Sequence, residues 1–457
     1  MPNSSHMPGT PRRSQTAANL ELHVQYRPTS SLRPDPTNAR RHSQRQLTRL
    51  KAIIAEFGFT NPILIDEDLK VIAGHARLEV AKALGMKEVP CLQLIHLSAE
   101  AKTALALADN KIGDMSEFDP QALAKQLAQL CAIDFQIELT GFETAEVDIL
   151  LEAPGFAVAD PSDEFADPDP AVPPVTKAGD LWSLGKHRLL VANSLEEASY
   201  SKLLGSDRAD MIFCDGPYNV PIQGHVSGLG RAKKHAEFAM ASGEMSPAQF
   251  TEFLTTCMQH LVRFSTDGSI HYHCIDWRHL PEMLAAGAAA YSEFKALCVW
   301  EKTNGGMGSL YRSKHELVLV YKNGKAPHVN NVNLGRDGRY RTNCWHYAGA
   351  NSFRAGRAED LADHPTVKPV SLVADAMRDC SRRGDLILDP FMGSGTSILA
   401  AERTGRRAAG IEIDPGYADV AIRRWQAMSK GSAVLTGDGR TFDEIAAARS
   451  TMETDGE

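Results

Sequence analysis

Hydrophobic positions along the chain follow two rhythms. From Gln46 to Phe57 apolar residues recur at helical spacing, and PILIDEDLKVIAGHARLEVAKALG reads as strand, tight acidic turn, strand and a helix starting just after Gly74. From residue 178 to about 430, short β-branched runs alternate with helical patterns, the order that a parallel sheet with crossover helices produces. Two of these runs, ADMIFC and LILD, lead directly into or end on acids, Asp215 and Asp389. Between Glu152 and Lys177 no period survives: EAPGFAVADPSDEFADPDPAVPPVTK concentrates proline and acid, the signature of an extended, self-repelling linker. The predicted layout is a disordered tail (1–19), a small α+β domain (20–113), a helical extension (114–151), the linker (152–177), an α/β domain (178–430) and a C-terminal tail (431–457), with no internal repeat.

Composition narrows this picture little. The 457 residues carry 57 acidic and 49 basic side chains, a formal charge of −8, with 43% hydrophobic and 23% charged residues. Such values belong to a globular chain and argue against a protein that coats nucleic acid through bulk charge. Much of the acid sits in the linker, whereas Arg27, Arg33, Arg40, Arg41, Arg45, Arg49 and Lys51 form a basic stretch upstream. The eight cysteines stand singly with no CxxC pair, which predicts neither a zinc knuckle nor a disulfide framework. No run approaches 18 apolar residues and the N-terminal stretch has no apolar signal core, so a cytoplasmic protein without a membrane partner is expected.

The turn after the second strand of the small domain offers a first candidate site. Gly74, followed by His75 and Arg77, presents unpaired backbone N–H groups and a cation at a helix N-terminus, which suits a phosphate; alternatively Gly74 merely permits the turn. The segment from Tyr26 to Ile112, with RPDPTNARRHSQRQLTRLKAIIAEFGFTNPILID and VIAGHARLEVAKALGMKEVPC, resembles the N-terminal domain of ParB-type partition proteins, related in fold to sulfiredoxin. That resemblance implies nucleotide phosphate at Gly74, His75 and Arg77. Partition members continue into a helix-turn-helix and a dimer domain; this chain is read as passing to the linker instead, which leaves the module an accessory DNA-side or regulatory role.

Two patterns carry chemistry in the larger domain. The first is the strand ending in Asp215-Gly216-Pro217-Tyr218. An exocyclic amine is a poor nucleophile because its lone pair is delocalised; Asp215 can accept one of its hydrogens, the Gly216 carbonyl the other, and Tyr218 can stack on a base flipped from the helix. The bland alternative is a strand-terminating turn with a buried tyrosine. The second is Asp389-Pro390-Phe391-Met392-Gly393-Ser394-Gly395-Thr396, then a helix from Ser397 to Thr404 and a strand ending near Glu412, the βαβ arrangement of an adenosine-containing cofactor with an acid for the ribose hydroxyls. The third glycine of a dinucleotide fingerprint is missing, which favours a ligand without a pyrophosphate.

Together these patterns, with HPTVKPVSLVADAMRDCSRRGDLILDPFMGSGTSILAAERTGRRAAGIEIDPGYADVAIRRW and VWEKTNGGMGSLYRSKHELVLVYKNG, resemble the β-class DNA amino-methyltransferases of the adenine N6 and cytosine N4 type. The resemblance implies a Rossmann-like fold and S-adenosyl-L-methionine. It places the target base at Asp215, Gly216, Pro217 and Tyr218, and the cofactor at Asp389, Phe391, Gly393, Gly395, Thr396 and Glu412. His364, Pro365, Thr366, Lys368 and Pro369 match the segment that closes over the methionine part. It also places DNA contacts between the two motifs, with Arg312, Lys314, Arg336, Arg339 and Arg341 as candidates, and Arg231, Lys233 and Lys234 on a flap over substrate. Asp at 215 leans to adenine N6; a cytosine N4 enzyme, an RNA or protein methyltransferase, and a DNA-binding regulator with a degenerate methyltransferase half are the alternatives. The family's usual tetrad has proline where this chain has Gly216; losing that fixed φ costs on the order of 1 kcal/mol of preorganisation, a slowing of roughly tenfold at most. Cys214, directly before Asp215, reads as a structural thiol. His271 and His273 share one face of a strand but lack a third ligand, so no metal is expected. Double-stranded DNA is the expected partner, within a restriction-modification setting; a nucleotide at the small domain and a homodimer are compatible with the sequence.

Overall fold

The computed structural model describes residues 22–113, 115, 118–133, 135–151, 161–163, 165, 167–169, 172–220, 240–302, 310–332, 341–347 and 368–454. The chain divides into two compact units, Met1–Gln126 with Phe135–Phe142, and Leu127–Asp134 with Glu143–Glu457.

In the first unit the order is β1 (Val24–Pro28), α1 (Gln44–Phe57), β2 (Ile63–Ile65), β3 (Val71–Ala73), α2 (His75–Ala83), β4 (Glu88–Gln93) and α3 (Ala99–Gly113). The sheet runs β1-β4-β2-β3, with β2 parallel to β4 and the other pairs antiparallel. The acidic turn forms because Asp66 Oδ1 accepts from the backbone N–H groups of Asp68 and Lys70, at 2.9 and 2.8 Å. α1 starts two residues before its predicted limit, where the Ser43 hydroxyl caps the N–H of Gln46. Leu32, Ile63, Ile65, Val71, Leu78, Val89 and Cys91 make the core. α4 (Pro120–Ala132) and α5 (Thr144–Leu151) follow.

The second unit is a doubly wound α/β fold. Its elements are β5 (Leu181–Leu184), β6 (His187–Val191), α6 (Glu197–Leu204), β7 (Ala209–Cys214), α7 (Pro247–Arg263), β8 (Ser265–Ile275), α8 (Leu280–Ala290), β9 (Glu293–Glu301), β10 (His315–Lys322) and β11 (Cys344–His346). These are followed by α9 (Val370–Cys380), β12 (Leu386–Asp389), α10 (Thr396–Thr404), β13 (Arg407–Glu412), α11 (Pro415–Ser429), β14 (Val434–Leu435) and α12 (Phe442–Thr454). The strand order is β11-β9-β10-β8-β7-β12-β13-β6-β5-β14. β8, β7, β12, β13 and β6 run parallel, so β7 and β12 point their carboxyl ends to the same edge of the sheet as neighbours. Helices on the two faces bury the sheet's apolar side chains in separate clusters.

Two predicted boundaries move. The C-terminal tail predicted for 431–457 is part of the fold: β14 pairs with β5, and Phe442 and Ile445 are buried, Phe442 lying edge-on to Trp182 with ring centroids 5.5 Å apart. Those apolar residues complete the core beside β5. The predicted linker is also packed where it is described. The Asp163 carboxylate accepts from the Val370 N–H at 2.9 Å, Asp419 accepts from the N–H groups of Val175 and Thr176, and the Arg424 guanidinium lies 4.3 Å from the centre of the Phe165 ring. In the same unit α5 is tied down by Asp148, buried against Arg406 at 3.0 Å and Arg383 at 3.3 Å.

Candidate active site

Adjacent parallel strands deliver the two motifs to one place. β7 hands over to Asp215-Gly216-Pro217-Tyr218, and β12 to the glycine loop that heads α10. Asp215 Oδ1 accepts from Lys368 Nζ at 2.7 Å and lies 2.9 Å from the Tyr218 hydroxyl; among the described residues none donates to Oδ2. The Tyr218 hydroxyl is also 3.1 Å from Glu316 Oε2, and Lys368 pairs with that oxygen at 2.8 Å. Lys302 completes the group as an ion-pair partner of Glu316. Lys368 is 3% exposed and Glu316 7%, so these charges are held by one another. Burial raises the Asp215 carboxyl above its usual range, with Lys368 pulling it down and Glu316 pushing it up. Burial would do the same to Glu316, but the ammonium groups of Lys368 and Lys302 hold it at about 2. Burial opposes the Lys368 charge, yet Asp215 and Glu316 raise its pKa beyond the ordinary lysine value.

The glycine loop is fixed by two buried acids. Asp389 accepts from the Phe391 N–H at 3.0 Å and the Ser397 hydroxyl at 2.5 Å; Glu412 accepts from the N–H groups of Gly393 at 2.6 Å and Asp414 at 2.8 Å. Burial pushes both carboxyls up to about 7, against the lowering effect of those donors. Gly395 has φ +89°, and a Cβ there would stand 2.8 Å from the Ala421 Cβ, so the turn admits only glycine. This donor set fits an adenosine: among the described residues Glu412 has only backbone donors on its two oxygens, and hydroxyl donors would relieve a carboxylate that burial destabilises. Gly216 has its own neighbour, because a Cβ at that position would lie 3.0 Å from Cε2 of Phe391.

The predicted site residues divide accordingly. Asp215, Gly216, Pro217, Tyr218, Asp389, Phe391, Gly393, Gly395, Thr396 and Glu412 gather at one sheet edge, while His364 and Thr366 lie outside the described residues. Lys368, predicted on the cofactor, is found on the Asp215 carboxylate. Arg341, predicted to reach DNA, is instead turned inward: Asp379 accepts from its Nε at 3.1 Å, Asp375 pairs at 3.4 Å, the Tyr347 hydroxyl lies at 2.6 Å, and Trp345 lies beneath its guanidinium. The two α9 carboxylates, one turn apart, account for this capture. Lys314 pairs with Glu301 on the exposed rim, where Arg312 is also exposed; Arg336, Arg339, Arg231, Lys233 and Lys234 lie outside the described residues. Cys214 is buried. His271 hydrogen-bonds Ser265, Ser269 and Tyr291, and His273 the same Tyr291 hydroxyl at 2.8 Å, with burial pushing both imidazoles down. Sequence reasoning passed over Glu316 and Lys302; the signal was an acid at the head of the otherwise apolar run ELVLVY.

In the first unit, Gly74 heads α2 with φ +101°, and Gly74, His75 and Arg77 line a cavity of about 440 Å³ together with Arg40, Asp109 and Asn110. Arg77 is half-buried, its Nε without a partner among the described residues, and burial lowers its pKa.

Comparison with known proteins agrees with this geometry. The N6/N4 family described as "DNA methylase" matches residues 209–423, and the "ParB N-terminal domain" matches 13–111. Residues 209–423 are thus matched by the N6/N4 DNA methylase family, and the chain carries a ParB-like N-terminal domain. The methylase family uses S-adenosylmethionine. A "ParB-methyltransferase HTH domain" matches 121–178, which corrects the expectation that the ParB-like module is not followed by a helix-turn-helix: α4 and α5 fall within it. The ParB-like nuclease domain-containing protein YnaK of Escherichia coli (strain K12) is 45% identical over 82 residues, 18% of this chain and 94% of that protein. Type II methyltransferase M2.DpnII of Streptococcus pneumoniae is 27% identical over 260 residues, 53% of this chain and 91% of that protein. Among solved structures, the cytosine-N4-specific PvuII DNA methyltransferase aligns with a TM-score of 0.39 and 15% identity, covering 57% of this chain and 91% of that one. No described helix is long and apolar enough to cross a membrane.

Proposed function

We propose that this methylase domain transfers a methyl group to N6 of an adenine flipped out of duplex DNA at a short specific sequence. The observation that carries the reading is the pairing of Asp215, with Oδ2 unclaimed among the described residues, and the Tyr218 ring beside the glycine loop of β12. Glu412, Asp389 and the loop from Phe391 to Thr396 would hold S-adenosylmethionine, which supplies an electrophilic methyl when bound. Asp215 Oδ2 accepts an amine hydrogen and draws electron density onto the nitrogen, Tyr218 stacks on the extruded base, and no covalent intermediate with the protein is needed. The intact acid cluster favours this over a degenerate regulator. Methylation-aware sequencing of DNA from cells expressing wild-type protein or Asp215→Ala tests it: a modified adenine in one motif that disappears in the variant is expected, and modified cytosine N4 overturns the adenine assignment.

For the ParB-like module, the cavity at Gly74 and Arg77 supports binding of a nucleotide phosphate. Calorimetry with CTP and ATP is expected to give heat that Arg77→Ala abolishes; equal silence from wild-type protein refutes it.

A further inference from the structure

Lys368 Nζ carries three hydrogens and has three acceptors at bonding distance: Asp215 Oδ1 at 2.7 Å, the Tyr218 oxygen at 2.9 Å and Glu316 Oε2 at 2.8 Å. An ammonium with all three hydrogens committed cannot rotate freely, and each commitment reports on another element. Asp215 and Tyr218 follow β7, Glu316 heads β10, and Lys368 immediately precedes α9. Register explains how Glu316 arrives: β8 runs parallel to β7 with Cys214 opposite His273, and β10 returns along β8 with Leu317 opposite Ile275, so Glu316 stands at the carboxyl edge. Lys302, the residue after the partner strand β9, is the second cation paired with Glu316. Two carboxylates therefore face two ammonium groups, Lys368 and Glu316 buried and Asp215 and Lys302 partly exposed.

We propose that Lys368 and Glu316 are positioning residues for methyl transfer, holding Asp215 by Oδ1 so that Oδ2 alone is presented to the target amine. This rests on the reading of Asp215 given above. With Asp215 as its only partner, the ammonium could swing across both carboxylate oxygens and compete with the amine. Glu316 and Tyr218 hold it to one side. The charge also keeps Asp215 an acceptor: Glu316, the Asp389 carboxyl and the Cys274 thiol oppose a second negative charge there, and the Tyr218 hydroxyl supports it alongside Lys368.

The test compares wild-type protein, Lys368→Met, Lys368→Arg and Glu316→Gln from pH 6 to 10 on a duplex containing the methylated motif. Thermal shift with S-adenosylhomocysteine serves as the folding and cofactor readout. Lys368→Met is expected to move the acidic limb of kcat upward by about one pH unit or more, with activity returning at high pH. Glu316→Gln should lower kcat about tenfold with cofactor affinity within about twofold, and Lys368→Arg should retain the wild-type limb. An unmoved limb in Lys368→Met, or cofactor affinity lost in step with activity, overturns the assignment; the second result returns Lys368 to the cofactor. Difference infrared titration of the Asp215 carboxylate, with Asp215→Asn as the blank, reads the same shift without turnover. Inactive wild-type protein whose Asp215 titration still shifts in Lys368→Met therefore refutes the methyl-transfer reading while leaving the positioning role standing.

Discussion

The proposed role of Glu412, the buried acid at the end of β13, makes cofactor binding depend on pH in a calculable way. Burial lifts the Glu412 carboxyl from 4.5 to about 7, a displacement worth on the order of 3 kcal/mol. A carboxyl raised in the folded state binds its proton more tightly there than in the unfolded chain. Its contribution to ligand-free stability is therefore fully present below pH 4.5 and is lost as pH rises through about 7. Accepting ribose hydroxyls requires the ionised form, so cofactor affinity runs the opposite way. If only ionised Glu412 binds, affinity for S-adenosylhomocysteine at pH 5.5 is about 30-fold weaker than at pH 8.5, since about 1.5 pH units separate the lower value from the pKa. Calorimetric titration across pH 5.5 to 8.5 measures this, and thermal unfolding of the ligand-free protein should show the opposite slope over the same range. Glu412→Gln should bind weakly at every pH and flatten both profiles. A wild-type affinity that is constant over those three pH units refutes the reasoning, because it means Glu412 is either ionised throughout or absent from the ligand's contacts.

Three further variants separate structural from functional roles. Gly216→Ala places a methyl group 3.0 Å from Cε2 of Phe391, so the ring must yield; overpacking of this kind costs about 1–3 kcal/mol, and slower methylation is expected, with faster turnover counting against the packing argument. Arg341→Ala should lower the unfolding midpoint without altering the salt dependence of DNA binding, whereas Arg312→Ala with Lys314→Ala should reduce the salt slope by about 1–2 with little change in stability; the reverse pattern in a filter-binding series would place Arg341 on DNA.

The parts legible in the sequence were those where chemistry and chain order coincide. Asp215 through Tyr218 and Asp389 through Thr396 are contiguous runs, each at the end of an apolar strand, and adjacent parallel strands bring them together as the alternating pattern implied. Glu316 was illegible because its meaning lies in register: nothing in SKHELVLVYKNG says that β10 returns beside β8 and sets its first acid against Lys368. Arg341 failed for the complementary reason. Basic residues between the motifs look alike in sequence, but Arg341 meets Asp375 and Asp379, which the 3.6-residue period of α9 stacks on one face. The C-terminal segment was lost to its low apolar content, since Phe442 and Ile445 suffice to seal the edge at Trp182.

The acidic segment between the domains shows why composition misleads at such places. Proline and repeated acid remove periodicity, which is the criterion for calling a stretch extended, but they do not prevent each acid from finding its own donor. Asp163 caps the start of α9 at Val370, two residues beyond Lys368. Arg424 spans from the carbonyl of Ser162, at 2.6 Å, to the carbonyl of Ser394 in the glycine loop, at 2.7 Å. One short strap is thus bonded both to the element that carries the lysine on Asp215 and, through one arginine, to the loop that precedes α10. Arg403 adds a hydrogen bond to the Ser162 hydroxyl at 3.1 Å. The mild negative charge of the whole chain therefore does not measure its affinity for anything: the Asp163 carboxylate is used inside the fold, on the Val370 N–H two residues beyond the lysine that pairs with Asp215.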